Sequence, residues 1–117
     1  MSTTIQIGML LFPNVTQLDL TGPTQVLSRV PGARVHLAWK DAAPVMTDAG
    51  FAICPTTSFA DCPQFDVLCV PGGFGIRGLL ADEETLAFLR RRGKGAPWVA
   101  SVCNGSLVLG AAGLLQG

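Results

Sequence analysis

At 117 residues the chain has the length of one domain. An apolar share of 49% against 14% charged residues excludes an unfolded chain, and no apolar run reaches the ~18 residues of a membrane span. Eight basic and eight acidic side chains cancel, which argues against a nucleic-acid surface.

Residues 1–4 are polar, so no signal peptide is expected ahead of the first strand. Thr4 to Leu11 is β-rich and turns continuously apolar, the pattern of a parallel strand buried on both faces. Phe12-Pro13-Asn14 breaks it, and Val15 to Leu20 carries Asp19 between two leucines. Pro23 suits the first turn of a helix running to about Val30, ended by Pro31-Gly32. A second strand is expected over Arg34 to Trp39. His36, the single histidine, alternates with apolar neighbours in it and is placed at a surface or edge. Val45-Met46 and Phe51-Ala52-Ile53, separated by a turn containing Gly50, predict a small hairpin. Ser58 to Cys62 is read as one helical turn capped by Ser58, and Asp61 and Asp66 as turn and strand-end residues.

Phe65 to Val70 is another apolar strand, followed at once by Pro71-Gly72-Gly73, and Gly78 to Leu80 fits a short turn of helix. Asp82 is an N-cap candidate with Glu83 and Glu84 in the first turn of the next helix. Arg90-Arg91-Arg92 fill its last turn as solvated, dipole-complementing charge, and Gly93 is expected to end it. Pro97 to Val102 reads as a buried strand, and Leu107 to Ala112 as a helix closed by Gly113. Strands alternating with helices predict an α/β fold with an open, mostly parallel sheet sandwiched by helices. In this architecture another strand is expected after Gly117. Residues 1–117 are therefore read as a single α/β domain that is incomplete at its C-terminal end.

Cys54, Cys62, Cys69 and Cys103 lie eight, seven and thirty-four residues apart, which matches no Cys-x-x-Cys zinc or redox pattern. No metal ligands cluster. Free thiols without a signal peptide imply a reducing compartment, the cytoplasm. Cys103 stands out because it sits where a strand hands over to a helix, with Gly105 just beyond, the mechanics of a nucleophile elbow. Unpaired amides at a helix mouth favour the thiolate, which is the nucleophile. A small core cysteine at a tight turn fits the same residues.

In doubly wound sheets, sites form outside the carboxyl ends of the strands. Asp19, Gly72-Gly73 and Cys103 all fall at such ends. The glycines can form an anion-binding nest or a plain tight turn. Asp19 is expected to be partly buried, to hold a proton near neutrality and to act beside the thiol as a general acid; a helix-capping Asp is the other reading. Their shared location favours a site. With His36 inside a strand there is no obvious Cys–His dyad.

Three segments, Leu18-Asp-Leu-Thr-Gly-Pro23, Val67-Leu-Cys-Val-Pro-Gly-Gly-Phe74 and Ala100-Ser-Val-Cys-Asn-Gly-Ser106, together resemble the ThiJ/PfpI superfamily. The Asp-Leu-Thr-Gly-Pro form and the Leu107 to Leu115 tail look most like its isonitrile hydratase branch. Peptidase-like and glyoxalase-like relatives usually carry a glutamate at the position of Asp19.

The resemblance implies a flavodoxin-like fold and a homodimer. It makes Cys103 the nucleophile, with Asp19 beside it. Gly72, Gly73 and the amide of Asn104 would line the site. It implies an isonitrile hydratase-like lyase in which Cys103 attacks the terminal carbon of a small-molecule isonitrile. Asp19 would protonate that carbon to give a thioimidate and then help activate water. The product is an N-substituted formamide, and no metal or organic cofactor is implied. Asn104 stands where many branch members have threonine, and members run to roughly twice this length. Two alternatives accompany this reading: a glyoxalase- or deglycase-like enzyme acting on reactive carbonyls, and the sensing domain of an AraC-type transcription regulator. Nucleic acid enters only if a DNA-binding region follows Gly117.

Overall fold

A computed structural model describes residues 4–115. The expected opening strand is β1, Ile5–Leu10, and the next strand is β2, Ala33–Trp39. Between them runs α1, Gln17–Leu27. The predicted hairpin forms with β3, Val45–Met46, antiparallel to β4, Ala52–Ile53. Further on lie β5, Thr57–Ser58, and β6, Val67–Val70, followed by α2, Ile76–Leu79, and α3, Glu83–Lys94. The last elements are β7, Trp98–Ser101, and α4, Gly105–Ala111.

Five strands form one sheet in the order β5-β2-β1-β6-β7, every pair parallel. The chain leaves β1 to one side for β2 and β5, then returns to the other side for β6 and β7. That reversal is the flavodoxin-like switch point, and ligands bind outside the strand ends there.

Side chains alternate across the sheet, which puts Ile5, Ile7 and Met9 of β1 on one face and Gly8 and Leu10 on the other. Leu27 of α1 shares a cavity with Ile5 and Ile7 on the first face. On the second face Phe65 lies over Gly8, and Phe88 of α3 stacks on Phe59 with centroids 3.9 Å apart. Phe65 meets Phe88 edge-on at 6.4 Å. Each pair of this kind contributes about 0.5–1.5 kcal/mol beyond its buried area, so the three rings anchor α3 to the sheet.

Several expectations are corrected. The first helix starts at Gln17, not at Pro23, which lies inside it. The reason is tertiary: Asp48, in the hairpin turn, accepts the Gln17 amide at 3.0 Å and does the work of an N-cap from 31 residues away. Pro23 is tolerated although it leaves the carbonyl one turn earlier without its helical donor. Thr57-Ser58 pairs with Ala38-Trp39 as an edge strand, and the turn over Ser58 to Cys62 follows it.

Asp82 caps α3 as predicted, accepting from the Thr85 amide at 3.3 Å, but the helix runs through Gly93 to Lys94. Two of its three arginines are not free solvated charge. Arg90 donates to the Ala112 carbonyl at 3.2 Å, and Arg92 to the Cys62 Sγ and carbonyl at 3.3 and 3.0 Å. They tie α3 to α4 and to the loop before β6.

Among the described residues β7 is the sheet edge, and Trp98 is 71% exposed there. His36, expected at a surface or edge, lies half-buried in the inner strand β2 with Nε2 2.6 Å from Gln6 Oε1. Burial, and then the charge of Arg34, lower its pKa. It is not among the residues that line the groove described below.

Candidate functional site

The switch point between β1 and β6 is held together by backbone. After Phe12 the chain turns through Asn14, whose φ is +62°. Val15 then makes an isolated antiparallel bridge with Gly73. The Thr16 amide donates to the Gly72 carbonyl at 3.0 Å, and the Asp48 amide to the Val15 carbonyl at 3.0 Å. Three segments distant in sequence are thereby fixed at the start of α1. Asp19 sits in the first turn of that helix, half-buried.

Gly73 requires glycine on two counts. Its φ is +140°, and an added Cβ would stand 2.6 Å from the Thr16 nitrogen. One position earlier, an added Cβ at Gly72 would stand 2.8 Å from Cys103 Cβ. The glycine turn therefore touches both α1 and the end of β7, as only residues lacking Cβ allow.

Cys103 occupies the junction of β7 and α4 with φ +52°. Left-handed backbone at a residue other than glycine is held by its surroundings and clusters at reactive sites. The thiol is exposed. Asp19, by hydrogen bonding to the thiol and then by its charge, pushes the Cys103 pKa above the ordinary value. The sequence reading placed the two groups within reach, and they are. The helix mouth was expected to hold the sulfur ionised; the hydrogen bond and charge of Asp19 act in the opposite direction.

An open groove of about 340 Å³ is lined by Thr16, Asp19, Gly73, Phe74, Cys103 and Asn104. Asn104, at the N-cap of α4, makes no side-chain cap bond to its own helix. Its Oδ1 instead accepts the Gly73 amide at 2.9 Å, and its Nδ2 donates to the Gly73 carbonyl at 3.3 Å. The Gly73 amide is thus already paired, against the expectation of a free nest donor. Thr16 and Phe74 line the groove without having been singled out. Phe74 is 86% exposed and directly follows the glycine turn, and that adjacency was the available signal. Among the described residues no three His, Cys, Asp or Glu side chains group as metal ligands, and no helix is long and apolar enough to cross a membrane.

The sequence profile of the DJ-1/PfpI family matches residues 5–117. Isonitrile hydratase of Pseudomonas putida is 59% identical over 97% of this chain and 50% of its own length. A ThiJ/PfpI family protein from Pseudomonas syringae has a solved structure that superposes with a TM-score of 0.95. It is 46% identical over 99% of this chain and 49% of that one. The HTH-type transcriptional regulator GbdR of Pseudomonas aeruginosa is 31% identical over 95% of this chain and 32% of the regulator. The chain spans half or less of each of these proteins.

Proposed function

The chain belongs to the DJ-1/PfpI family, and on that premise we propose that the protein hydrates an isonitrile to an N-substituted formamide, with Cys103 as nucleophile and Asp19 as general acid and base. The observation that carries this reading is the Asp19 carboxylate set against the Cys103 thiol in one solvent-open groove. The similarity to isonitrile hydratase supplies the substrate class.

The thiol starts protonated, because the neighbouring carboxylate disfavours a second negative charge. As Sγ bonds to the terminal isonitrile carbon, its proton passes to Asp19. Asp19 then delivers it to that carbon, giving the thioimidate R–N=CH–S–Cys103. Water adds to the same carbon as the C=N bond opens onto nitrogen. Asp19 takes the water proton and passes it to that nitrogen, and the remaining hydroxyl proton goes through Asp19 to the departing sulfur. The C–S bond breaks, the formamide leaves, and the thiol is restored. Gly73 lines the groove, Gly72 packs behind it against Cys103, and on this reading the amide of Asn104 faces the developing charge. No metal or organic cofactor takes part.

On this reading residues 1–117 form the first part of one α/β domain of a cytoplasmic homodimer. The test is formamide production from an alkyl isonitrile by the full-length protein. Wild type should turn over and Cys103→Ala should not; absence of formamide from wild type overturns the proposal. The similarity to GbdR supports one other reading, a ligand-sensing half of a regulator. A basic helix-turn-helix segment in the full-length chain would decide for it.

A further inference from the structure

A second cavity, of about 390 Å³, opens beside the groove that holds Cys103, and Phe74 lines both. The two hollows meet along one backbone crossing, the Val15–Gly73 bridge. Thr16 and Gly73 line the groove, while Asn14 and Gly75 line the cavity. Residues two apart in a chain are separated by at most about 7 Å, so a group of a few bonds spans from one hollow to the other. Phe74 stands at that junction with its ring in solvent. The other apolar walls are Pro13, Trp39 and Leu79. Trp39 is a fixed wall, since Phe59 meets it edge-on with centroids 5.7 Å apart. The charged lining groups answer each other: Lys40 Nζ lies 2.6 Å from the Asp82 carboxylate. An anionic guest would have to displace Asp82, and a neutral one would not.

Gly78 supplies an independent observation. It lies inside α2, where glycine is a poorer helix former than alanine. A Cβ there would meet nothing within 4 Å. Gly50 and Gly113 are equally open, but both have a positive φ that favours glycine. Gly78 has neither a positive φ nor a close neighbour to require it. What glycine provides in this cavity wall is volume.

From these observations we propose that the cavity is the subsite for the substituent of the isonitrile: a neutral arylalkyl group runs from Cys103 across Phe74 and seats its ring beside Trp39, where Gly78 leaves room. The inference rests on the function proposed above for the reaction at Cys103, and it names the class of substrate that reaction takes. A mostly apolar hollow of this volume with a few polar groups is the usual form of a small-molecule site. Aromatic rings favour offset-stacked or edge-to-face partners, and Phe74 and Trp39 are the two rings that line the cavity. A methyl isonitrile would occupy the groove alone and leave the cavity to water. Phe74 and Gly78 are therefore the specificity-determining residues.

The full-length protein is assayed with phenethyl isonitrile and with methyl isonitrile, and the readout is the ratio of their kcat/KM values. Gly78→Leu fills the cavity from a position where a Cβ meets no neighbour. The ratio should fall by about tenfold or more, through KM for the larger substrate. Phe74→Ala removes the shared ring from an exposed position. It should lower the ratio by about two- to tenfold, and it serves if Gly78→Leu folds poorly. A ratio that stays at the wild-type value in both variants overturns the subsite. Binding is also read without the reaction, in full-length Cys103→Ala. There N-phenethylformamide should shift the Trp39 indole NMR signal, assigned with Trp39→Phe, and N-methylformamide should not. Adding Gly78→Leu should raise the concentration needed by about tenfold. An indole signal that ignores the arylalkyl formamide, or follows both formamides alike, overturns the subsite. Turnover of neither isonitrile would end the functional reading, and the binding titration would still decide this one.

Discussion

Cys69 and Cys103 belong to neighbouring parallel strands, one inside β6 and one just past β7, and both thiols have pKa values raised above the ordinary thiol range. The causes differ. Cys69 is 4% exposed, and burial alone lifts it. Cys103 is exposed, and Asp19 lifts it by hydrogen bonding and charge. A raised thiol pKa therefore does not mark a site by itself. A neighbour that can exchange a proton with the thiol does, because that neighbour can also move a proton to substrate.

The largest consequence concerns turnover. Cys103→Ala should lower formamide production by about 10³-fold or more, as expected on removing a nucleophile. Cys69→Ala, which alters a side chain remote from solvent, should stay within about twofold of wild type. Equal losses in the two variants would erase the distinction between the thiols.

Next comes the proton partner. Asp19→Asn should cut turnover by about 10²- to 10⁴-fold, the range of general acid–base contributions. The same change removes the carboxylate that raises the Cys103 pKa, so the pH midpoint of iodoacetamide labelling should fall and labelling near neutrality should speed up. Slower turnover with a more reactive sulfur separates proton transfer from simple damage. A midpoint that rises, or stays where it was, would show that Asp19 does not act on this thiol.

Much of this arrangement was legible beforehand because it is local. The strand–Cys–helix junction, the glycine turn after β6, the β3–β4 hairpin and the Asp82 cap each depend on residues a few positions apart. What stayed hidden depends on partners far along the chain. The start of α1 is set by Asp48, and the duties of Arg90 and Arg92 by Ala112 and Cys62. The two-residue strand β5 exists because β2 offers it an edge. Cys103 shows a further limit: its position and its nearness to Asp19 could be read from the sequence, while the sign of its pKa shift could not. Asn104 was read as offering its amide to substrate, and only the structure shows its side chain turned to Gly73.

The third effect is smaller and belongs to the core. Cys69→Ala removes a buried sulfur from β6 and should cost about 1–2 kcal/mol in urea unfolding, with the Cys103 labelling midpoint unchanged. A shifted Cys103 midpoint in this variant would mean that the two thiols are coupled through the sheet.

The smallest effect is a dependence on alkaline pH. Because burial raises the folded pKa of Cys69, the folded protein keeps the neutral thiol after the unfolded chain has lost its proton. The unfolded state then binds fewer protons than the folded state, so stability falls as pH rises. The contribution of Cys69 is fully present below the unfolded thiol value and is lost as pH climbs through the higher folded value. Cys103 has a raised value too, so the comparison is made in a Cys103→Ala background. There, urea midpoints measured from about pH 7 to about pH 10 should decline more steeply with Cys69 present than in Cys69→Ala. Parallel curves would mean that Cys69 ionises as readily in the fold as in the unfolded chain, and the contrast between a thiol raised by burial and one raised by a carboxylate would lose its first half.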